Sequence, residues 1–404
     1  MPVYLLVTCD TKGAEAEFVR AALKSRGVAV RLVDVGSLGE PSVVPDIPRD
    51  EVFRLAGFTA PGTDRGEAVT AAARGAAALV AAAYARGEVD GVLALGGSAG
   101  TTIGSAAMRV LPIGVPKLLV STLASGQTRP FVGDKDILLL NAVVDFAGIN
   151  RISRRVLGQV AAAMAGMVAG RESTSGLDEG RPLIAATMFG VTTPCVMRAR
   201  EVLEQAGYEV IVFHATGSGG QAMESLIADG MFAGVLDITT TELADELVGG
   251  VLSAGPNRLT AAGRVGVPQV ISVGALDMVN FGPRETVPEK FATRLFHRHN
   301  ASVTLMRTTA EENRILGREI GTKAAASRGP VEILLPEHGV SALDKAGQAF
   351  DDPAARRALY EGIAETAGRV PVTLVPAHIN DAEFAETAAR RLLEVMRTAR
   401  AELP

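Results

Sequence analysis

Short aliphatic and β-branched runs recur along the whole chain, among them Val3–Val7, Val28–Val35, Gly91–Leu95, Lys117–Val120, Leu183–Met188, Glu209–Phe213, Val235–Ile238, Gln269–Val273, Val331–Leu335 and Val372–Val375. Alanine-rich stretches long enough for amphipathic helices separate them. The runs are apolar throughout rather than alternating with polar residues, as strands covered on both faces should be. Strand and helix in alternation predict an α/β protein built on mainly parallel sheets. The stretch GRESTSGLDEGRP interrupts the pattern with no apolar period. It predicts a linker at 171–182 between a first domain, 1–170, and a second, 183–404.

The two halves repeat one another. LLVTCDTKG, a helical stretch, Gly27 and VAVRLVDVG in the first half parallel LIAATMFGVTTPC, a helical stretch, Gly207 and YEVIVFHATG in the second. GVLALGG then parallels GVLDITT, and GVPKLLVST parallels GVPQVISVG. Two Rossmann-like, doubly wound domains of related topology are expected, with ligands at the carboxyl ends of the strands and a ligand cleft between the domains. The C-terminal helical stretch, Asp381 to Arg397, is a candidate to pack back onto the first domain.

Composition narrows the function. With 404 residues, 48% hydrophobic and 21% charged, the chain is globular, and a net charge of −5 argues against nucleic-acid binding. Tryptophan is absent and aromatics are 4%, too few for stacking platforms. Two cysteines, Cys9 and Cys195, make no disulfide framework. No signal peptide or membrane span is expected, and the cytoplasm is the expected compartment.

Two glycine-rich turns carry the candidate chemistry. In LALGGSAGTTIG a strand runs into Gly96, Gly97, Ser98 and Gly100, and Thr101 opens a helix; free N–H groups at such a helix start attract phosphate. Gly96, Ser98 and Gly100 also spell the G-x-S-x-G nucleophile elbow, which keeps a serine hydrolase as an alternative. In FHATGSGGQAME, His214 ends a strand, and Gly217, Ser218, Gly219 and Gly220 lead into a helix. Gly217, Gly219 and Ala222 fit G-x-G-x-x-A, with Asp237 twenty residues after Gly217, but the turn is the second of its half and not the first. Thr239 and Thr240 either face a ligand or belong to ordinary capping with Glu242. Cys195 opens a helix, where a thiol becomes acidic unless it is buried. Lys12, Arg129 and Lys135 are candidate charge-balancing cations, and Asp10, Asp237 and Asp277 candidate magnesium ligands. The HRHN spacing is not that of a helical zinc pair, and no Gly-Lys dipeptide exists to form a Walker A loop.

TMFGVTTPCV, FHATGSGGQAME, GVLDITTTELADEL, GALDMVNFGP and HRHNASVTLMRTT, together with GGSAGT and GDKDILLLNAVVDFAGIN, resemble one family. It comprises the ATP-binding N-terminal domain of the tomato tobamovirus-resistance protein and its bacterial relatives. The resemblance runs from about Val3 to Arg397 and departs from the family pattern at Glu337 and His338. It implies two Rossmann-like domains, ATP binding with Mg2+, and self-association as a homo-oligomer. The expected partner is a nucleotide or another phosphorylated small molecule, with no nucleic acid and no membrane. Whether the protein is an enzyme stays open; one acting on a phosphorylated or carboxylated metabolite, with His214 as acid or base, is the other alternative.

Overall fold

A computed structural model describes residues 1–58, 64–126, 128–174 and 180–401. The chain divides into two compact units, Met1–Glu179 and Gly180–Pro404. In unit 1, strands β1 (Val3–Val7), β2 (Val30–Asp34), β3 (Gly91–Gly96), β4 (Lys117–Ser121) and β5 (Leu138–Asn141) form one parallel sheet in the order β2-β1-β3-β4-β5. Residues of β1, β3 and β4 are buried throughout, the solid apolar runs of a doubly covered sheet. Helices Arg49–Leu55, Arg65–Ala85 and Ser98–Arg109 cover one face around Phe53, Val80 and Ile103. Helices Cys9–Lys24 and Arg151–Thr174 cover the other around Val19, Leu157 and Met164.

Helix Arg65–Ala85 is long and apolar enough to cross a membrane by length and composition. Its apolar residues serve the core instead: Ala71, Ala72, Ala76, Val80 and Ala83 are almost wholly buried. Of the predicted linker, Arg171 to Thr174 continue helix Arg151–Thr174, and 175–179 lie outside the described residues.

Unit 2 repeats the plan with one strand more in its parallel sheet and adds a small second sheet. Strands β6 (Leu183–Met188), β7 (Glu209–His214), β8 (Gly234–Thr239) and β9 (Gln269–Gly274) are followed by β10 (Met278–Phe281), β11 (Phe296–Arg298) and β12 (Thr304–Arg307), then by β13 (Val331–Pro336) and β14 (Val372–Val375). The parallel sheet runs β14-β13-β9-β8-β6-β7, while β10, β12 and β11 form a separate antiparallel sheet. Counted from its own first strand, the order in unit 2 is that of unit 1 extended at one edge. Chain direction reverses across the sheet between β1 and β3 in unit 1, and between β6 and β8 in unit 2. Such a reversal opens a crevice at the carboxyl ends of the strands. The C-terminal helix, Ala382–Ala401, buries Phe384, Ala388, Leu392 and Met396 in unit 2, beside Cys195, Val196 and Leu203 of helix Thr193–Gln205.

Candidate functional site

In unit 1 the reversal point holds a cavity of about 260 Å3. Thr8 and Asp10 line it after β1, and Gly97, Ser98, Ala99 and Gly100 line it after β3; Ser37 and Leu38, Arg65 and Val69, Thr11, Lys12 and Asp145 complete the wall. The turn after β3 is tight for a local reason. A Cβ on Gly96 would lie 2.6 Å from the Gly100 Cα, and one on Gly100 would lie 2.8 Å from the Leu95 carbonyl oxygen. Those two glycines let the helix sit on its strand.

Gly97 is different. Its φ is −81°, and the nearest atom to an added Cβ is the Thr122 hydroxyl at 3.6 Å, an ordinary contact. Packing within the protein does not require a glycine there. Gly97 is also the N-cap of helix Ser98–Arg109, which no side chain caps. First-turn N–H groups lack intrahelical partners, and here they belong to residues of the cavity wall.

Charge surrounds this opening. Lys12 occupies a non-helical kink, φ −133°, in helix Cys9–Lys24. Its Nζ donates to the Phe146 carbonyl at 3.4 Å and lies 5.8 Å from the Phe146 ring centroid. Arg65 starts its helix directly after the N-cap Asp64. The Asp10 side chain is only 3% exposed. Its Oδ2 accepts from the Leu38 N–H at 2.9 Å, which fixes the rim loop, whereas its Oδ1 is buried without a partner. Asp34, ending β2, accepts from Cys9 and Gly36 N–H groups and from Arg49 at 2.6 Å, so it is not free to hold a ribose. Thr101 is buried, with its hydroxyl on Ser121 at 2.6 Å, and serves the strand rather than the cavity.

The hydrolase reading finds little support in this geometry. An elbow serine sits on a strained turn. Among the described residues the non-glycine positions with positive φ are Val143, Leu259 and Ala275, so Ser98 carries no such strain. Unit 1 also contains no histidine. Cys9 is no nucleophile either, because burial, reinforced by Asp34, pushes its thiol up to about 12.

In unit 2 a glycine turn near the reversal point, following β7 (the counterpart of β2) rather than β8, is occupied by a side chain of the protein itself. Gly217 has φ +84°, and Gly219 packs so closely on the His214 carbonyl that a Cβ would overlap it. The Gly217 and Gly220 N–H groups donate to Glu242 Oε1 at 2.6 and 3.1 Å. The anion at this second glycine turn is therefore a carboxylate of the same chain. Glu242 Oε2 accepts from Arg258 Nε at 2.6 Å, and the Arg258 guanidinium also grips both oxygens of Asp237 at 2.6 and 2.7 Å. Arg258, Asp237 and Glu242 are all essentially inaccessible to solvent. Burial pushes the Glu242 carboxyl up, against the opposing pull of Arg258. Asp237 stands beside a register shift in β8 and also accepts from the Thr187 hydroxyl at 2.7 Å.

The remaining unit 2 candidates are placed as follows. Thr239 bonds Thr187 and Thr192, and Thr240 bonds the Ser272 carbonyl, all buried. Thr241 precedes helix Glu242–Val248 without capping it through its side chain. His214 is exposed and edge-on to Phe189, with ring centroids 5.5 Å apart, and Ser218 is exposed at its helix start. Asp277 is fully buried, with Oδ2 accepting from Ser341 at 2.7 Å, and burial together with Asp344 pushes its carboxyl up. Asp237 and Asp277 share no hydrogen-bond partner. Among the described residues no three His, Cys, Asp or Glu side chains gather as a metal site. Cys195 is buried and its thiol pushed up by burial, which removes the acidic-thiol reading.

Sequence reasoning missed Arg65, Ser37, Leu38 and Asp145 in unit 1, and Arg258 as the cation of unit 2. Asp145 lay within a family-like block; Arg258, in GPNRLT, has no periodic or motif signal.

Comparison with known proteins agrees with the two-unit division. Residues 1–173 match the N-terminal domain model, and 181–396 the C-terminal domain model, of Uncharacterised protein family (UPF0261). A UPF0261 protein of Clostridium tetani is 48% identical over 400 residues, covering 98% of each chain. One from Rhizobium meliloti is 47% identical over 393 residues, covering 96% of this chain and 97% of its own. The ToMV resistance protein Tm-1(GCR237) of Solanum lycopersicum is 43% identical over 418 residues; 97% of this chain aligns, but 55% of the tomato protein. A solved UDP-N-acetylglucosamine 2-epimerase from Rickettsia bellii aligns over 98% of this chain and 97% of its own at 9% identity, with a TM-score of 0.20, too low to transfer anything. The two domain models and the full-length bacterial relatives place the chain in the UPF0261 family.

Proposed function

We propose that unit 1 binds a phosphorylated small molecule in the cavity at the carboxyl ends of β1 and β3, and that the ligand is ATP with magnesium. The observation that carries this reading is Gly97: a glycine on the cavity wall, at an uncapped helix start, where the protein's own packing leaves room for a side chain. A Cβ there would stand where phosphate approaches the N–H groups. Lys12 and Arg65 supply positive charge at the same cavity.

Magnesium fits this wall. Asp10 has a buried oxygen without a partner, and Asp145 is exposed on the lining. These two carboxylates would hold the ion directly or through water, and the ion would offset phosphate charge. Asp237 is a poorer candidate, since Arg258 and Thr187 occupy its oxygens. Cytoplasmic residence and self-association belong to the same reading.

The cavity volume, about 260 Å3, favours a second reading, an enzyme for a small phosphorylated or carboxylated metabolite. Sites that bury a drug-sized ligand usually measure roughly 300–1,000 Å3.

Titration calorimetry of ATP with magnesium tests the first reading. Gly97→Val should abolish binding in a folded protein, and unchanged affinity would reject the site. Ser98→Ala should cost about 1–2 kcal/mol of binding, because its hydroxyl is one donor among several.

A further inference from the structure

We propose that the unit 1 cavity recognises phosphate and sugar hydroxyls and is indifferent to the nucleobase. The inference rests on the phosphate-binding reading of the same cavity and specifies its ligand class. Proteins hold a base by stacking it on an aromatic or apolar slot and by bonding the ring edge. Among the described residues that line the cavity, none is aromatic and none is Asn or Gln. The apolar contribution is Val69, Ala99 and Leu38, and Leu38 is 68% exposed on the rim. That is no slot for a ring.

The rest of the wall is suited to a phosphorylated polyol. Hydroxyls come from Thr8, Thr11, Ser37 and Ser98, and each can donate or accept. Lys12, Arg65 and the helix start answer the phosphates. A volume of about 260 Å3 suits a sugar phosphate or the ribose–phosphate part of a nucleotide, with the base left outside.

Calorimetry on the full chain would compare ATP, GTP and UTP, each with magnesium, with inorganic triphosphate and adenosine as controls. The three nucleotides should bind within about threefold of one another, inorganic triphosphate should bind measurably, and adenosine should not. Gly97→Ala, which has room for its methyl, should weaken all three nucleotides by the same factor, about fivefold or more. ATP binding more than tenfold tighter than both GTP and UTP would overturn base indifference and leave the phosphate site standing. Failure of every phosphorylated compound to bind would overturn both, and so would nucleotide affinities unaltered by Gly97→Ala and Gly97→Val.

Discussion

The two units share a strand order and a reversal point, yet the glycine turns beside that point, after β3 in unit 1 and after β7 in unit 2, are used in opposite ways. Unit 1 leaves its turn open, on a cavity walled by Gly97, Lys12, Arg65 and Asp10. Unit 2 closes its glycine turn with Glu242, and Arg258 is held between Glu242 and Asp237. A glycine turn ahead of a helix attracts negative charge in either case. What differs is the source of the charge, a side chain of the same chain in one unit and a proposed ligand in the other. The glycines differ too: Gly217 and Gly219 answer to backbone geometry and to the His214 carbonyl, whereas at Gly97 the protein's packing leaves room for a Cβ.

Removing Arg258 is the strongest way to break the closed turn. Arg258→Met leaves the carboxylates of Asp237 and Glu242 buried without their cation. Breaking one partner of a buried pair costs about 3–5 kcal/mol. Urea unfolding should show a loss of that size, and a variant as stable as the parent would mean that the network is not structurally important. The glycines give the next largest contrast. Gly219→Ala drives a methyl into the His214 carbonyl and should destabilise by several kcal/mol, whereas Gly97→Ala should cost no more than about 1 kcal/mol. Similar thermal shifts for the two would erase the distinction between the units.

A smaller effect sharpens the comparison through pH. Burial raises the Asp245 carboxyl from its ordinary 3.8 to about 7. The folded state therefore keeps a proton that the unfolded chain releases near its ordinary value. The contribution is fully present below about pH 4 and is lost as pH rises through about 7. Asp245→Asn mimics the protonated form, and turning the Asn280 amide would bring its unpartnered oxygen to the new N–H. Its stability should vary less with pH between 4 and 7 than that of the parent chain, as denaturant titrations at several pH values would show. Parallel curves would mean that Asp245 does not retain its proton.

The parallel strands were legible because burial on both faces leaves an unmistakable run, as in LLV, GVLALG and QVISVG. Strand β5 was less so: Leu138–Asn141 is a sheet edge with exposed ends, inside a segment that carried no alternation. The antiparallel β10, β11 and β12 are three or four residues each, too short to declare a period. Both glycine turns were visible, but not which of them a side chain would fill. Glu242 stands 25 residues from Gly217, and Thr-Glu beside a helix start looks like local capping. A motif records the backbone geometry that anions favour, and that geometry does not say whether the anion arrives from solution or from the same polypeptide. Arg65 reaches the cavity from a helix start and Asp145 from a distant loop, and only the folded chain brings them together.

Arg258 also bears on how this molecule can change by descent. It joins Glu242, beneath the glycine turn, to Asp237 on β8, and Leu259 next to it takes φ +68°, a conformation that a leucine seldom adopts. A single replacement of Glu242 exposes two glycine N–H groups and a buried guanidinium at once, and a single replacement of Arg258 strands two acids. Either step alone should cost about 3–5 kcal/mol, so a lineage reopens the second turn at least cost by altering both positions together. The network thus acts as an epistatic lock on the second glycine turn, with Glu242 and Arg258 constrained to change as a pair.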